Sequence, residues 1–276
     1  MEYGKDYKKI PALSTASGST YEAAPGVLVK TVQIANVFLI QDLMVKDSWF
    51  LVDAGMPGSA DAIISFSEEV LPKGVIPKAI ILTHGHFDHV GAIIELVQKW
   101  NIPVYAHQLE IPYLTGKKDY PEGSTLPEGI MAKLSPYYPN ESINLGEHVS
   151  ELPPDGTIPF LRGWRWLHTP GHTEGHISLF REEDRVMIAG DAFVTVRQES
   201  LYHVLIQDKE IHGPPQYFTF EWEKAKDSVI KLQELKPSVS ITGHGKAMEG
   251  AELEDGLREL VLRWEEIAVP DRRQNM

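Results

Sequence analysis

The stretch Ile81–Ala92, ILTHGHFDHVGA, constrains this chain more than any other. It joins an apolar run, KAIILTH, that reads as a buried strand to VGAIIELVQKW, whose apolar spacing reads as a helix leading away from it. Between them lie three of the chain's 11 histidines and an aspartate, in the pattern H-x-H-x-D-H. In extended backbone, residues two apart point to the same side. His84 and His86 at a strand end can therefore converge on one ion, while Asp88 and His89, where the chain turns into the helix, can face a second. A lone histidine at a strand end is more often an ordinary polar residue than a ligand. The whole pattern should arise by chance in roughly one chain in a thousand, so coincidence is a weak explanation.

Four more positions repeat one form, a polar residue beside glycine after an apolar run. They are Asp53 in LVDAG, His172 in HTPGHTEGH, Asp191 in MIAGDAF and His244 in SITGHGKA. Taken singly, each has an ordinary reading: Asp53 as a turn residue, His244 as a loop histidine. Together they fit a rule of α/β sheets, in which ligands collect outside the carboxyl ends of strands. The first half alternates strand and helix: SWFLVDAG, GSADAIISFSEEVL, KAIILTH, VGAIIELVQKW, IPVYAH. That alternation predicts a layered α/β sheet. Residues 1–22 read as a flexible polar arm, and 23–276 as a single domain with a loop-rich insertion at 113–160.

Composition limits the chemistry. With no cysteine there is no disulfide and no thiolate ligand, so a metal has only imidazole and carboxylate to hold it. A net charge of −13 repels phosphate backbones and anionic lipid, which argues against nucleic-acid and membrane partners. The N-terminus lacks the apolar segment of a signal peptide, and no apolar run approaches the ~20 residues of a membrane span. These features predict a cytoplasmic protein with a small-molecule substrate. Its oligomeric state is left open, a homodimer being one form.

The ordered set Asp53; His84, His86, Asp88, His89; His172; Asp191; His244 resembles the metallo-β-lactamase superfamily in all five of its motifs, over about residues 25–250. The resemblance implies a four-layer αβ/βα sandwich with a metal site on one edge. It assigns His84, His86 and His172 to a first metal, Asp88, His89 and His244 to a second, and Asp191 to a bridge between them. Asp53 would orient a ligand or a metal-bound water. Two Zn²⁺ per chain are expected, with Fe or Mn as competitors. Their shared hydroxide would attack a small ester, thioester or lactone, with Asp88, Asp191 and Asp53 as the catalytic carboxylates.

Within the superfamily, an aspartate bridge is similar to glyoxalase II, lactonases and related esterases rather than to genuine β-lactamases. Val194 stands where acyl-homoserine-lactone lactonases carry tyrosine, and only about thirty residues follow His244, where glyoxalase II has a helical region. The stretch GDAFVTVRQESLYHVLIQDKEIHGPPQYFT resembles a bacterial subgroup of metallo-hydrolases without assigned substrates. A mononuclear-iron enzyme like the persulfide dioxygenases, or a phosphodiesterase, is the alternative.

Among the other histidines, His107 is expected to make a local backbone hydrogen bond and His148 to be solvated. His168 and His176 could support His172 or be ordinary structural residues. The region of Tyr202, His203, His212 and Tyr217, with Tyr113, Tyr120, Tyr137 and Tyr138, is expected either to wall a pocket or simply to pack.

Overall fold

The computed structural model describes residues 1–7, 14–125, 127, 130–196 and 209–270. The chain divides into two compact units. One comprises residues 1–120 and 139–166, the other residues 121–138 and 167–276.

The first unit is built on a seven-stranded sheet whose strands follow sequence order. They are β1 (Thr20–Ala24), β2 (Val27–Val32), β3 (Ala35–Gln41), β4 (Trp49–Val52), β5 (Ile80–Ile81), β6 (Val104–Ala106) and β7 (Val149–Glu151). Strands β1–β4 form an antiparallel meander, and β4–β7 run parallel. The turn between β2 and β3 is two residues long, with Gln33 at φ 58°. A left-handed first residue matches the twist of the flanking strands. Strand β4 is buried on both faces, the pattern of a strand covered on two sides.

Parallel strands need crossovers, and helices supply them. Helix α1 (Ala60–Val70) lies between β4 and β5 in the chain; α2 (Phe87–Val90) and α3 (Ile93–Trp100) lie between β5 and β6. In α3 the apolar stripe Ile93, Ile94, Leu96, Val97 and Trp100 is buried, and Asn101 at φ 50° ends the helix in the left-handed conformation typical of that position. After β6 comes α4 (Ile111–Leu114). The stretch 113–160, read above as loop-rich, contributes β7 to this sheet and β8 (Thr157–Ile158), which pairs with β9 (Leu161–His168). The first residues are tied to α2 and α3. The Tyr3 hydroxyl donates to Glu95 at 2.5 Å and accepts the Ile94 amide at 3.1 Å, and the Tyr7 hydroxyl donates to the Phe87 carbonyl at 3.2 Å. Burial pushes the Tyr7 phenol well above its ordinary pKa, so it keeps that proton.

The second unit contains α5 (Ile130–Leu134), β10 (Ile177–Arg181), β11 (Val186–Gly190), α6 (Trp222–Glu234), β12 (Val239–Thr242), β13 (Met248–Glu249), α7 (Gly250–Leu262) and α8 (Trp264–Ile267). Strand β11 pairs antiparallel with β10 and parallel with β12, and β13 closes antiparallel on β12. The last two long helices each bury one apolar face. Trp222, Ala225, Val229 and Leu232 of α6 share a core with Leu253, Leu257 and Leu260 of α7. Among the described residues, no helix is long and apolar enough to cross a membrane.

Candidate metal centre

In each unit a pair of adjacent parallel strands ends at candidate residues. In the first, Val52 of β4 is level with Ile81 of β5, so the residues that follow emerge side by side. The Asp53 amide continues the ladder to the Ile81 carbonyl at 2.9 Å. In the second, Gly190 of β11 is level with Thr242 of β12, which brings out Asp191 beside the loop of His244. This is the carboxyl-end placement that the glycine-flanked motifs predicted.

The first unit presents His84, His86, Asp88 and His89, all buried. A ligand atom of His84 lies within 4.8 Å of one on His86 and of one on His89, and the same holds for Asp88 and His89. The rings of His84 and His86 meet edge-on at 4.7 Å, and those of His84 and His89 lie tilted at 4.2 Å. Asp53 organises this set. It is fully buried and non-glycine at φ 59°, a conformation that costs free energy and persists only where its surroundings enforce it. Its Oδ1 accepts the Thr83 amide at 2.8 Å. Its Oδ2 accepts the Thr83 hydroxyl and His89 Nδ1, each at 2.8 Å.

These bonds assign tautomers in the neutral rings. His89 carries its proton on Nδ1, facing Asp53, so Nε2 keeps its lone pair. The Thr83 hydroxyl spends its only proton on Asp53. His84 Nδ1, 3.1 Å from that oxygen, must therefore be the donor, and His84 Nε2 is also a lone-pair atom.

The second unit presents His172, Asp191 and His244, also buried. His172 Nδ1 lies 2.9 Å from the Thr219 hydroxyl, which donates to the Pro215 carbonyl at 2.8 Å. The same reasoning puts the His172 proton on Nδ1 and a lone pair on Nε2. That Nε2 lies 3.6 Å from Asp191 Oδ2, and His244 Nε2 lies 3.2 Å from the same oxygen. Two acceptors, a lone pair and a carboxylate oxygen, then face each other in a buried place, which calls for a cation near them. The donor set of imidazole and carboxylate fits a borderline or hard divalent metal.

His176 holds the backbone of this set. Its Nδ1 lies 3.1 Å from the Thr169 carbonyl, and its Nε2 accepts the Asp191 amide at 2.9 Å. His168, by contrast, meets the Glu174 carbonyl at 2.8 Å within its own loop. His107 accepts the Leu109 amide at 3.3 Å, the local bond expected of it, and His148 is exposed. The backbone of His212 exchanges hydrogen bonds with Val194. Tyr113 and Tyr120 are buried in a parallel stack 4.0 Å apart, while Tyr137 is exposed. Tyr202 and His203 lie outside the described residues.

Sequence reasoning missed Thr83 and Thr219 as the groups that fix ring tautomers. Thr83 had one available signal, its position directly before His84. Thr219, 47 residues from its partner, had none.

Close packing explains two glycines beside the ligands. A Cβ on Gly91 would lie 2.2 Å from the Met56 carbonyl carbon, and one on Gly171 would lie 2.3 Å from the Ala225 amide nitrogen. Both obstacles are backbone, which cannot step aside. Gly91→Ala is expected to destabilise the protein by about 3 kcal/mol, the upper end of ordinary overpacking. A fall in Tm of about 6 °C or more would register it in a thermal melt, and an unchanged Tm would contradict the close approach.

With this geometry in place, comparison with known proteins is direct. The Metallo-beta-lactamase superfamily model matches residues 31–244, which include every candidate ligand. The chain is 51% identical over 255 residues to the probable metallo-hydrolase YflN of Bacillus subtilis (strain 168), covering 92% of this chain and 97% of that protein. An archaeal metallo-beta-lactamase superfamily protein, ST1585 from Sulfolobus tokodaii, superposes with a TM-score of 0.57 at 22% identity, over 94% of this chain and 86% of its own. TTHA1623, solved in a di-iron-bound form, superposes with a TM-score of 0.52 at 25% identity, over 84% and 94%. The chain belongs to the metallo-β-lactamase superfamily and has its α/β sandwich fold of mixed sheets with flanking helices. Within that family it is a metallo-hydrolase.

Proposed function

We propose that the protein is a dinuclear metal-dependent hydrolase of a small ester, thioester or lactone. In this reading His84, His86 and His172 hold one ion, Asp88, His89 and His244 hold another, and Asp191 bridges them. The observation that carries it is the approach of His172 Nε2 and His244 Nε2 to a single oxygen of Asp191. A carboxylate so flanked suits two cations better than one. When bound, such a metal pair supplies Lewis acidity and lowers the pKa of water toward ~7, which allows hydrolysis without a serine or cysteine nucleophile.

The chain's own side chains have distinct tasks. Asp53 and Thr83 hold the rings of His89 and His84 with Nε2 unprotonated. Asp88 and Asp191 are the carboxylates placed to accept a proton, and burial of the set excludes bulk water. Zinc is the first choice of metal on donor chemistry. Iron is its competitor, supported by the di-iron form of TTHA1623. The net charge of −13 favours a small substrate over nucleic acid or an anionic membrane. A cytoplasmic location and either a monomer or a homodimer go with this reading.

The test is a substrate screen on protein of measured metal content, covering thioesters, lactones, aryl esters, phosphodiesters and β-lactams. The expected result is close to two metal equivalents per chain with turnover confined to acyl compounds. One iron per chain with no hydrolysis would instead support the dioxygenase-like alternative, and turnover of phosphodiesters alone would overturn the substrate class.

A further inference from the structure

A buried acid sits behind the loop that carries His84 and His86, and the motifs do not account for it. Glu110, immediately before α4, is fully buried. A carboxylate there is costly unless its oxygens are hydrogen-bonded. Glu110 Oε2 accepts the Gly85 amide at 3.0 Å and also accepts the Tyr120 hydroxyl. The Tyr120 oxygen lies 3.0 Å from the same Gly85 amide. Three groups therefore close a ring around the one peptide N–H between two candidate ligands.

The surroundings keep that ring rigid. Tyr120 stacks on Tyr113 at 4.0 Å with planes 7° apart, and its ring lies 4.6 Å from that of His86. Any side chain at position 85 would collide with the tyrosine, since a Cβ there would lie 2.7 Å from the Tyr120 oxygen. Glycine at 85 is thus required by this latch and not by its backbone angle, because it is not among the positive-φ glycines.

We infer that Glu110 and Tyr120 are positioning residues for the metal: together they clamp the Gly85 peptide and fix the direction in which the His84 and His86 side chains leave the backbone. This rests on the reading that His84 and His86 hold an ion. Groups hydrogen-bonded directly to a metal ligand typically matter by about 10–100-fold in metal affinity. Glu110 and Tyr120 act one step further out, through the Gly85 backbone, so the low end of that range is expected.

The test uses the full-length protein, wild type, Glu110→Gln and Tyr120→Phe. Zinc affinity is measured by competition with a chromophoric chelator, and Tm is measured with and without zinc. Each variant is expected to lose about 10-fold in affinity at one site, the low end of the range for direct partners of a ligand, and to show a smaller zinc-induced rise in Tm. Cobalt-loaded variants should show visible bands shifted from wild type, because the geometry at the ion has changed. Tyr120→Phe removes one oxygen and keeps the ring stack, so it decides the matter should Glu110→Gln not fold. Affinities within twofold of wild type, with Tm lowered equally in the presence and absence of zinc, would show a merely structural role and overturn the inference. Wild-type protein that binds no zinc, cobalt or iron would instead sink the metal reading beneath it.

Discussion

Replacing His86 by alanine is expected to abolish hydrolysis, with kcat/KM falling by on the order of 10³ or more, because the nucleophile depends on a metal that lowers the water pKa from about 15.7 to about 7. The same variant should retain about one metal equivalent instead of two, since the second set, Asp88, His89 and His244, does not include His86. The fold should survive. His86 is the residue before the four-residue helix α2 rather than part of either apolar core, and its ring lies beside those of His84 and Tyr120. Elemental analysis beside steady-state kinetics checks both parts. Full activity in His86→Ala would remove His86 from the ligand set.

Asp53→Asn is the second large effect, and its logic is different. The side chain keeps its size, and asparagine tolerates the left-handed backbone at φ 59° better than most residues. What changes is the pattern of donors. Both carboxylate oxygens receive protons, Oδ1 from the Thr83 amide and Oδ2 from the Thr83 hydroxyl and His89 Nδ1. An amide NH₂ at either place meets a donor. If it faces His89, that ring must move its proton to Nε2 and loses the lone pair meant for the metal. A tautomer error of this kind is known to cost about 10⁴-fold when it falls on a catalytic histidine. Here the expected loss is in metal affinity, about 10–100-fold or more, with a stability loss of about 1–3 kcal/mol from the donor left unpaired. Isothermal titration of the metal-free variant with zinc reads the first, and a thermal melt reads the second. Unchanged zinc affinity would mean that Asp53 is no more than a turn residue.

The candidate ligands are more legible in the sequence than the groups that orient them. His84, His86, Asp88 and His89 announce themselves by density, and Asp53, Asp191 and His244 by a shared form, an apolar run that stops at a polar residue beside glycine. That form has a physical cause: parallel strands end together, and glycine lets the next turn come close. The strands followed from the same apolar runs.

Thr219 and Glu110 had no comparable signal, and His176 stood out only as a neighbour of His172. Each acts through one hydrogen bond to a partner set by tertiary structure: His172 for Thr219, Gly85 for Glu110 and Asp191 for His176. A single polar residue in a loop has no periodicity to betray it. The stretch 113–160 hides its short strands for a related reason. Its proline, glycine and tyrosine content reads as loop, and a three-residue strand such as β7 is too short to stand out against it. Tyr120 stands out there as an aromatic suited to packing or to a pocket wall; its link to Gly85 depends on a 35-residue separation that only the fold closes.

The central claim is that seven side chains drawn from four loops share two ions. Anomalous diffraction from crystals of the metal-loaded protein tests it most directly. Two peaks about 3.5–4 Å apart are expected. One should lie about 2.0–2.2 Å from nitrogens of His84, His86 and His172, the other as near to Asp88, His89 and His244, with a carboxylate oxygen of Asp191 reaching both. A single peak that leaves out His244 and Asp88, or a map with no peak near any of the seven, would contradict it.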